Sequence, residues 1–412
     1  MEVIHRCCAG MDVHKESVTV CIRKTSAEGK VDQQVRTFAT TTASLLQLSD
    51  WLVEQQVTIA AIESTGVYWK PVWNVLEDRL KLILVNPRDV KQVPGRKTDV
   101  KDGRWIAQLL SCDLLRPSFV PPQGQRELRD LTRGRASLLQ DKTRVINRLQ
   151  KILEDANIKL GDVASDVMGM SGREMIRALI DGKMTPEQMA NLARKQLRLK
   201  IPRLTEALTG RVSGHHRFML KFLLDEIEHM ESLIAQLDQR IAEVMPPLDQ
   251  TALKVMDELP GIDQRAAQNI LAEIGSDMSR FPSADHLASW AGMCPGNDQS
   301  AGKRRSGRMS DGNRWLKATL NQCAWAASRK KDSCFAAQFK RITARRGVKR
   351  ANMAVAHSML CIIWELLRHG QTYQDLGRDY FDRSNEDRIK RQLVKRLEKL
   401  GFEVKLEKKD AA

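Results

Sequence analysis

Aromatic residues are scarce in this 412-residue chain: they make up 5% of it, and only three are Tyr. A protein that holds single strands by stacking bases on exposed rings needs more of them. The eight Cys are scattered and form no Cys-x-x-Cys pair. That spacing argues against a zinc site or a disulfide framework and for a reducing, cytoplasmic setting. Long apolar runs are missing as well. The longest, Met353 to Leu367, is interrupted by His357 and Glu365 and is too short and too polar to span a membrane. The first six residues lack the basic-then-apolar layout of a signal peptide. Acidic residues are in deficit, 51 against 67 Lys plus Arg, so the net charge is +16.

What is present is an ordinary globular balance, 42% hydrophobic and 29% charged, in a chain long enough for two or three domains. The positive excess is local. Residues 1–120 carry a net charge of +2, whereas residues 301–350 hold 15 basic and 2 acidic residues, net +13. A concentrated basic block is the footprint of a polyanion partner, because Lys and Arg gain by releasing condensed counterions. The plainer alternative is a solvated face with no partner. A membrane surface fits less well, since the block is rich in Gly, Ser and Asn.

The first 120 residues read as β-β-β-α-β-α-β-α: short apolar or alternating segments at 7–12, 17–22 and 31–39, then strands at 58–63 and 80–85 separated by helical patterns. A meander followed by β-α units predicts a mixed sheet with helices on its faces. Four carboxylates occupy telling positions. Asp12 and Glu63 end the first and fourth strands, where open α/β sheets collect their active sites. Asp99 and Asp102 stand three apart at the start of a helix and share one face. Carboxylate oxygens are the ligands that Mg²⁺ prefers, and two such ions serve phosphodiester chemistry. The alternative is that Asp99 and Asp102 only complement the helix dipole and Asp12 is a turn residue.

Residues 124–160 predict one long helix. A second, at about 217–244, carries Leu220, Leu223, Ile227, Met230, Ile234, Leu237, Ile241 and Val244 at heptad spacing, until Pro246-Pro247 stops it. The pair predicts either an antiparallel hairpin within the chain or a dimer seam. His215-His216 reads as part of a polar loop. Further on, Leu259-Pro260-Gly261-Ile262 before an Ala-rich helix reads as a helix-hairpin-helix element, whose turn at Gly261 would present N–H groups to a phosphate; a plain αα turn is the alternative. The loop from Gln299 to Arg314 combines Gly, Lys, Arg and the hydroxyls Ser300, Ser306 and Ser310. A serine among cations is a potential nucleophile for a phosphodiester. Otherwise these serines are loop or capping residues, with Ser310 the expected N-cap of the next helix. Cys294, beside Pro295 on an apolar stretch, is a poor nucleophile.

Three N-terminal motifs, Gly10-Met11-Asp12-Val13-His14-Lys15, Ile62-Glu63-Ser64-Thr65-Gly66 and Lys97-Thr98-Asp99-Val100-Lys101-Asp102, resemble those of the DEDD transposases of bacterial insertion sequences. Leu259-Pro260-Gly261-Ile262, Trp290-Ala291-Gly292, Gln299-Ser300-Ala301-Gly302-Lys303 and Gly312-Asn313-Arg314-Trp315-Leu316-Lys317 resemble the same family's transposase domain. The resemblance covers about residues 5–120 and 255–368. It implies an RNase H-type, RuvC-like fold at 1–122, a helical coiled-coil domain at 123–250, a mainly helical transposase domain at 251–370 and a basic tail at 371–412. It assigns Asp12, Glu63, Asp99 and Asp102 as the Mg²⁺-binding tetrad and Ser300, or failing that Ser306, as the DNA nucleophile. Gly261, Lys303, Arg304, Arg305, Arg308, Asn313, Arg314 and Lys317 become candidate nucleic-acid contacts.

The function so implied is RNA-guided recombination: a structured non-coding bridge RNA pairs with double-stranded donor and target DNA, and protein cuts and rejoins the strands. The resemblance also implies a homo-oligomer, a dimer or tetramer, in which the tetrad of one protomer works with the serine of another, in the bacterial cytoplasm at the nucleoid. Two other functions fit the residues: a Mg²⁺-dependent, structure-specific nuclease of the resolvase type with no covalent intermediate, and a non-enzymatic nucleic-acid-binding protein.

Overall fold

The computed structural model describes residues 2–87, 90, 102–245, 247–296, 298–300, 303–306, 309, 311–384 and 386–406. The chain divides into two compact units, Met1–Pro121 and Pro122–Ala412. In the first, β1 (Cys7–Val13), β2 (Ser17–Thr25) and β3 (Val31–Ala39) form an antiparallel meander. Two parallel strands, β4 (Ile59–Glu63) and β5 (Lys81–Val85), extend it from β1. A two-residue antiparallel strand, β6 (Pro117–Ser118), which the sequence pattern did not predict, closes the far edge. The order is β3-β2-β1-β4-β5-β6, the mixed sheet that the meander-then-β-α pattern implies.

Alternation along the strands sorts side chains between two faces. Ala9, Met11 and Val13 on β1, with Ala60 and Ile62 on β4, pack on α1 (Thr42–Glu54) and α2 (Trp69–Leu76) through Leu45, Leu48, Leu52, Val72 and Leu76. On the opposite face Cys8, Ile59, Ala61 and Val85 meet Trp105, Ile106, Leu109 and Leu110 of α3 (Asp102–Ser111). The unit is therefore three layers, with apolar strands buried on both sides.

The second unit is helical. The long helix α4 (Gln123–Asp155) leads through short helices α5 (Leu160–Val163), α6 (Met170–Asp181), α7 (Pro186–Ala190) and α8 (Ile201–Ala207) to the second long helix, α9 (Gly214–Val244). The predicted heptad seam is satisfied within the chain. Leu220, Leu223, Ile227, Ile234 and Ile241 are buried. Cross-links Lys142–Glu231, Arg148–Glu226 and Asp155–His216 run α4 and α9 antiparallel. His215 and His216 lie in the first turn of α9 rather than in a loop. Ser213 accepts from the His216 N–H, and His216 Nδ1 accepts from the Ser213 N–H, a reciprocal cap that starts the helix three residues early. After Val244 a new helix, α10 (Pro247–Asp257), opens with proline at its first position, where no donor is lost.

The remaining core is built from α11 (Gln264–Ile274), α12 (Ala284–Trp290), α13 (Arg314–Ala327), α14 (Cys334–Arg346) and α15 (Val348–His369). A short hairpin, β7 (Asp298–Ser300) with β8 (Lys303–Ser306), precedes α13. The tail carries α16 (Tyr380–Arg383) and α17 (Glu386–Lys399). Among the described residues no helix is long and apolar enough to cross a membrane.

Candidate active site

The register of β1 and β4 brings the first two acids together. Met11 pairs with Ile62 in the parallel ladder, so Asp12 and Glu63 follow side by side, one strand spacing of about 4.8 Å apart. Asp12 shares its face with Gly10 and Cys8, and that face is the one α3 covers: the Cys8 thiol donates to the Ala107 carbonyl at 3.5 Å. A side-chain carbon at Gly10 would collide with Gly103 O and Ala107 N, so glycine there lets the α3 backbone lie directly on the strand. One at Gly103 would sit 3.3 Å from Gly10 O and 3.9 Å from Asp12 N. The first turn of α3 thus stands over the end of β1, and its first residue is Asp102. Register sets Asp12 beside Glu63, and Asp102 opens the helix that lies over that strand end. Asp99 lies outside the described residues.

Asp12 is 19% exposed, with His14 Nε2 3.3 Å from its Oδ2. Glu63 and Asp102 are half-buried and each has a polar partner. Among the described residues no three acidic, His or Cys side chains are close enough to enclose an ion. The donor chemistry nonetheless suits a hard divalent cation, because the predicted ligands on and beside this strand edge are all carboxylates. Mg²⁺ is held by one or two protein carboxylates, with water and substrate phosphate completing its shell.

The second candidate centre lies in the helical unit. Ser300 ends β7 and pairs with Lys303; Gln299 pairs with Arg304, and Asp298 with Ser306, across a bulge. The stretch read as a loop is thus in part a two-stranded ladder, with Ser300 and Ser306 each at a strand end. Gly302, Arg308 and Ser310 lie outside the described residues, and only the backbone is described at Ser300 and at Lys303, Arg304 and Arg305.

The family-like motifs of this unit are packed on one another. At Gly312, φ is +46°, and a side chain would collide with Ala291 and Gly292. Asn313 N donates to Ala291 O at 3.2 Å. The N-cap of α13 is Asn313, not Ser310: its Oδ1 accepts from the Trp315 and Leu316 N–H groups, and an amide oxygen is as good a cap as a hydroxyl. Gly261, at φ +86°, faces the α13 backbone at Cys323 and Ala327. Its small size therefore serves a helix contact. Arg314 is exposed and lies 5.0 Å over the Trp315 ring; Lys317 is half-buried.

A buried ionic cluster behind this region was not anticipated from the sequence. Glu273, on α11, is 2% exposed. Arg133 of α4 donates to both its oxygens at 2.7 Å, and Asn313 Nδ2 donates to Oε2 at 2.6 Å. Arg129 Nε stands 3.3 Å from the same oxygen, and burial, opposed by the Glu273 charge, pulls its guanidinium down to about 10. Two residues after Arg133, Arg135 is 1% exposed and donates to Asp238 and Gln268 at 2.7 Å and to Asn269 at 2.8 Å. The available signal was three arginines inside an otherwise amphipathic helix, at 129, 133 and 135. Cys294 is half-buried, and burial raises its thiol, which disfavours the thiolate a nucleophile requires.

The class of the chain is that of the transposases, which catalyse DNA strand transfer. The model of the DEDD transposases of the IS110 type matches residues 9–158, and that of the IS116/IS110/IS902 transposase family matches residues 253–340. The chain belongs to the IS110/IS116 family of insertion-sequence transposases. It is similar to the transposase for insertion sequence element IS1111A of Coxiella burnetii, 23% identical over 71% of this chain and 72% of the relative. The IS110 43.6 kDa protein of Streptomyces coelicolor is 25% identical over 68% of this chain and 73% of its own length. The pilin gene-inverting protein of Moraxella bovis is 29% identical over 36% of this chain and 48% of its own length.

Proposed function

We propose that this transposase is an RNA-guided recombinase that cuts and rejoins duplex DNA at the ends and target of an insertion sequence, with Asp12, Glu63, Asp99 and Asp102 as its acidic centre and Ser300 as its nucleophile. The observation that carries the reading is the β1–β4 register, which sets Asp12 beside Glu63 under the first turn of α3. The antiparallel meander joined to parallel β4 and β5 supports an RNase H-type N-terminal unit. Relatives named as a transposase and as a gene-inverting protein both support recombination of DNA. Low aromatic content and a concentrated cationic block suit a protein that grips phosphate while base pairing with a bridge RNA reads sequence.

The acidic centre would hold Mg²⁺, which, when bound, withdraws charge from a scissile phosphate. Lys303, Arg304, Arg305 and Arg308 surround Ser300 and Ser306 in sequence and neutralise the DNA backbone. Ser300 Oγ then attacks phosphorus: the Oγ–P bond forms, the P–O3′ bond breaks, and the serine proton ends on the departing 3′ oxygen. The reverse step on a new partner rejoins the strand and restores the serine. The tetrad and the serine lie on separate units, which is consistent with one protomer completing the site of another.

The test is covalent attachment with cognate DNA and RNA in Mg²⁺. Ser300→Ala should form no protein–DNA adduct yet bind nucleic acid within about twofold of the parent. Asp12→Asn should lose cleavage by about 10²-fold or more, the scale on which preorganised electrostatic groups act. An undiminished adduct in Ser300→Ala overturns the serine assignment, and strand breaks without any adduct in the parent indicate hydrolysis. Normal cleavage by Asp12→Asn removes the carboxylates from the reaction.

A further inference from the structure

Of the 15 cations in residues 301–350, nine follow residue 320, beyond the serine hairpin. The helices α14 and α15 run antiparallel: Gln338 Nε2 donates to Ser358 Oγ at 2.8 Å, and a single residue, Gly347, joins them. The open space around Gly347 and its φ of +81° make it the tip of a helical hairpin. Arg345 and Arg346 end one helix, and Lys349 and Arg350 begin the other. All four are exposed and make no ion pair among the described residues. No Asp or Glu occurs between Asp332 and Glu365, and those two are paired with Arg378 and His369.

Such a tip is electrostatically unfavourable in isolation. Four like charges crowd within six residues. Lys349 and Arg350 stand in the first turn of α15, where the helix dipole disfavours cations and where there is no acidic residue. Arg341, by contrast, is occupied, donating to Phe381 O at 3.3 Å. The match to the family's transposase model ends at residue 340, before the tip. We infer that the α14–α15 tip is a second phosphate-contacting surface, which binds the backbone of a double-stranded nucleic acid through Arg345, Arg346, Lys349 and Arg350. A duplex suits it because closely spaced phosphates neutralise all four charges at once, and condensed counterions are released on contact. The inference rests on the reading that the substrate is nucleic acid, and not on the identity of the nucleophile.

The experiment replaces all four cations with Ser in the full chain carrying Ser300→Ala, so that covalent chemistry does not enter. Binding of a labelled arbitrary-sequence DNA duplex and of a stem-loop RNA is followed by anisotropy over a salt series. Each lost phosphate contact removes about 0.9 from the slope of log K against log salt. The slope should therefore flatten by about 3.6, with unchanged helix content by circular dichroism. Flattening with one probe and not the other identifies DNA or RNA as the occupant. A control loses Lys151, Lys183, Lys195 and Arg198, also exposed, and should keep the parent slope. An unchanged slope with both probes, or equal flattening in the control, overturns the inference. Adduct formation by the tip variant with Ser300 restored reports on the catalytic reading separately.

Discussion

Glu273 shows how much one side chain can organise. It is almost wholly buried and has no place in a motif, yet it joins α4, α11 and the Asn313 cap of the helix that follows the serine hairpin. Two arginines share its charge, and both are partly buried, so removing the carboxylate leaves cations without a counter-charge in a poor solvent for them. Breaking one partner out of a buried pair costs about 3 to 5 kcal/mol. Glu273→Ala should lose stability on that scale in urea unfolding, and a loss below about 1 kcal/mol would show the cluster to be solvated. By comparison Asp12 and Glu63 were readable from sequence because they interrupt apolar strands. A charge that ends a buried strand needs a reason, whereas an arginine on a helix ordinarily does not.

At the scale of elements, periodicity served well. The heptad spacing of α9 marked its buried face, and the α4–α9 hairpin answered whether that seam is used within the chain: Leu220, Leu223, Ile227, Ile234 and Ile241 are covered by α4 and the small helices around it. Ile227 is fully buried, so Ile227→Ala should cost about 2 to 5 kcal/mol through lost transfer energy and the cavity left behind. Thermal unfolding of the variant checks this, and an unchanged midpoint would mean that the seam is not a core. Helix starts were less legible than helix faces. Ser213, with His216 reciprocating, and Asn313 act as caps through contacts that a pattern of apolar residues does not record. The two-residue strand β6 is too short for any periodicity to mark.

For the whole molecule, the acidic edge belongs to the unit ending at Pro121 and the serine hairpin to the unit beginning at Pro122. If the working site combines the edge of one protomer with the serine of another, Asp12→Asn and Ser300→Ala should rescue each other. Mixed before assembly, the two inactive variants should form adducts well above the sum of each alone. Mixed oligomers that stay inactive would mean that both centres act within one protomer.

The amino-acid sequence by itself determined the family, the mixed sheet, the helical remainder and the charge asymmetry between a near-neutral start and a cationic block. These are properties of local spacing and composition, which each segment carries without its neighbours. The tertiary structure alone decided that Asp12 stands beside Glu63, that Gly10 and Gly103 let α3 close over them, that Glu273 is ringed by cations, and that four cations share one hairpin tip. Those facts depend on strand register and helix packing between segments as far as 144 residues apart, as in the Arg129–Glu273 pair, and chain spacing does not encode such distances.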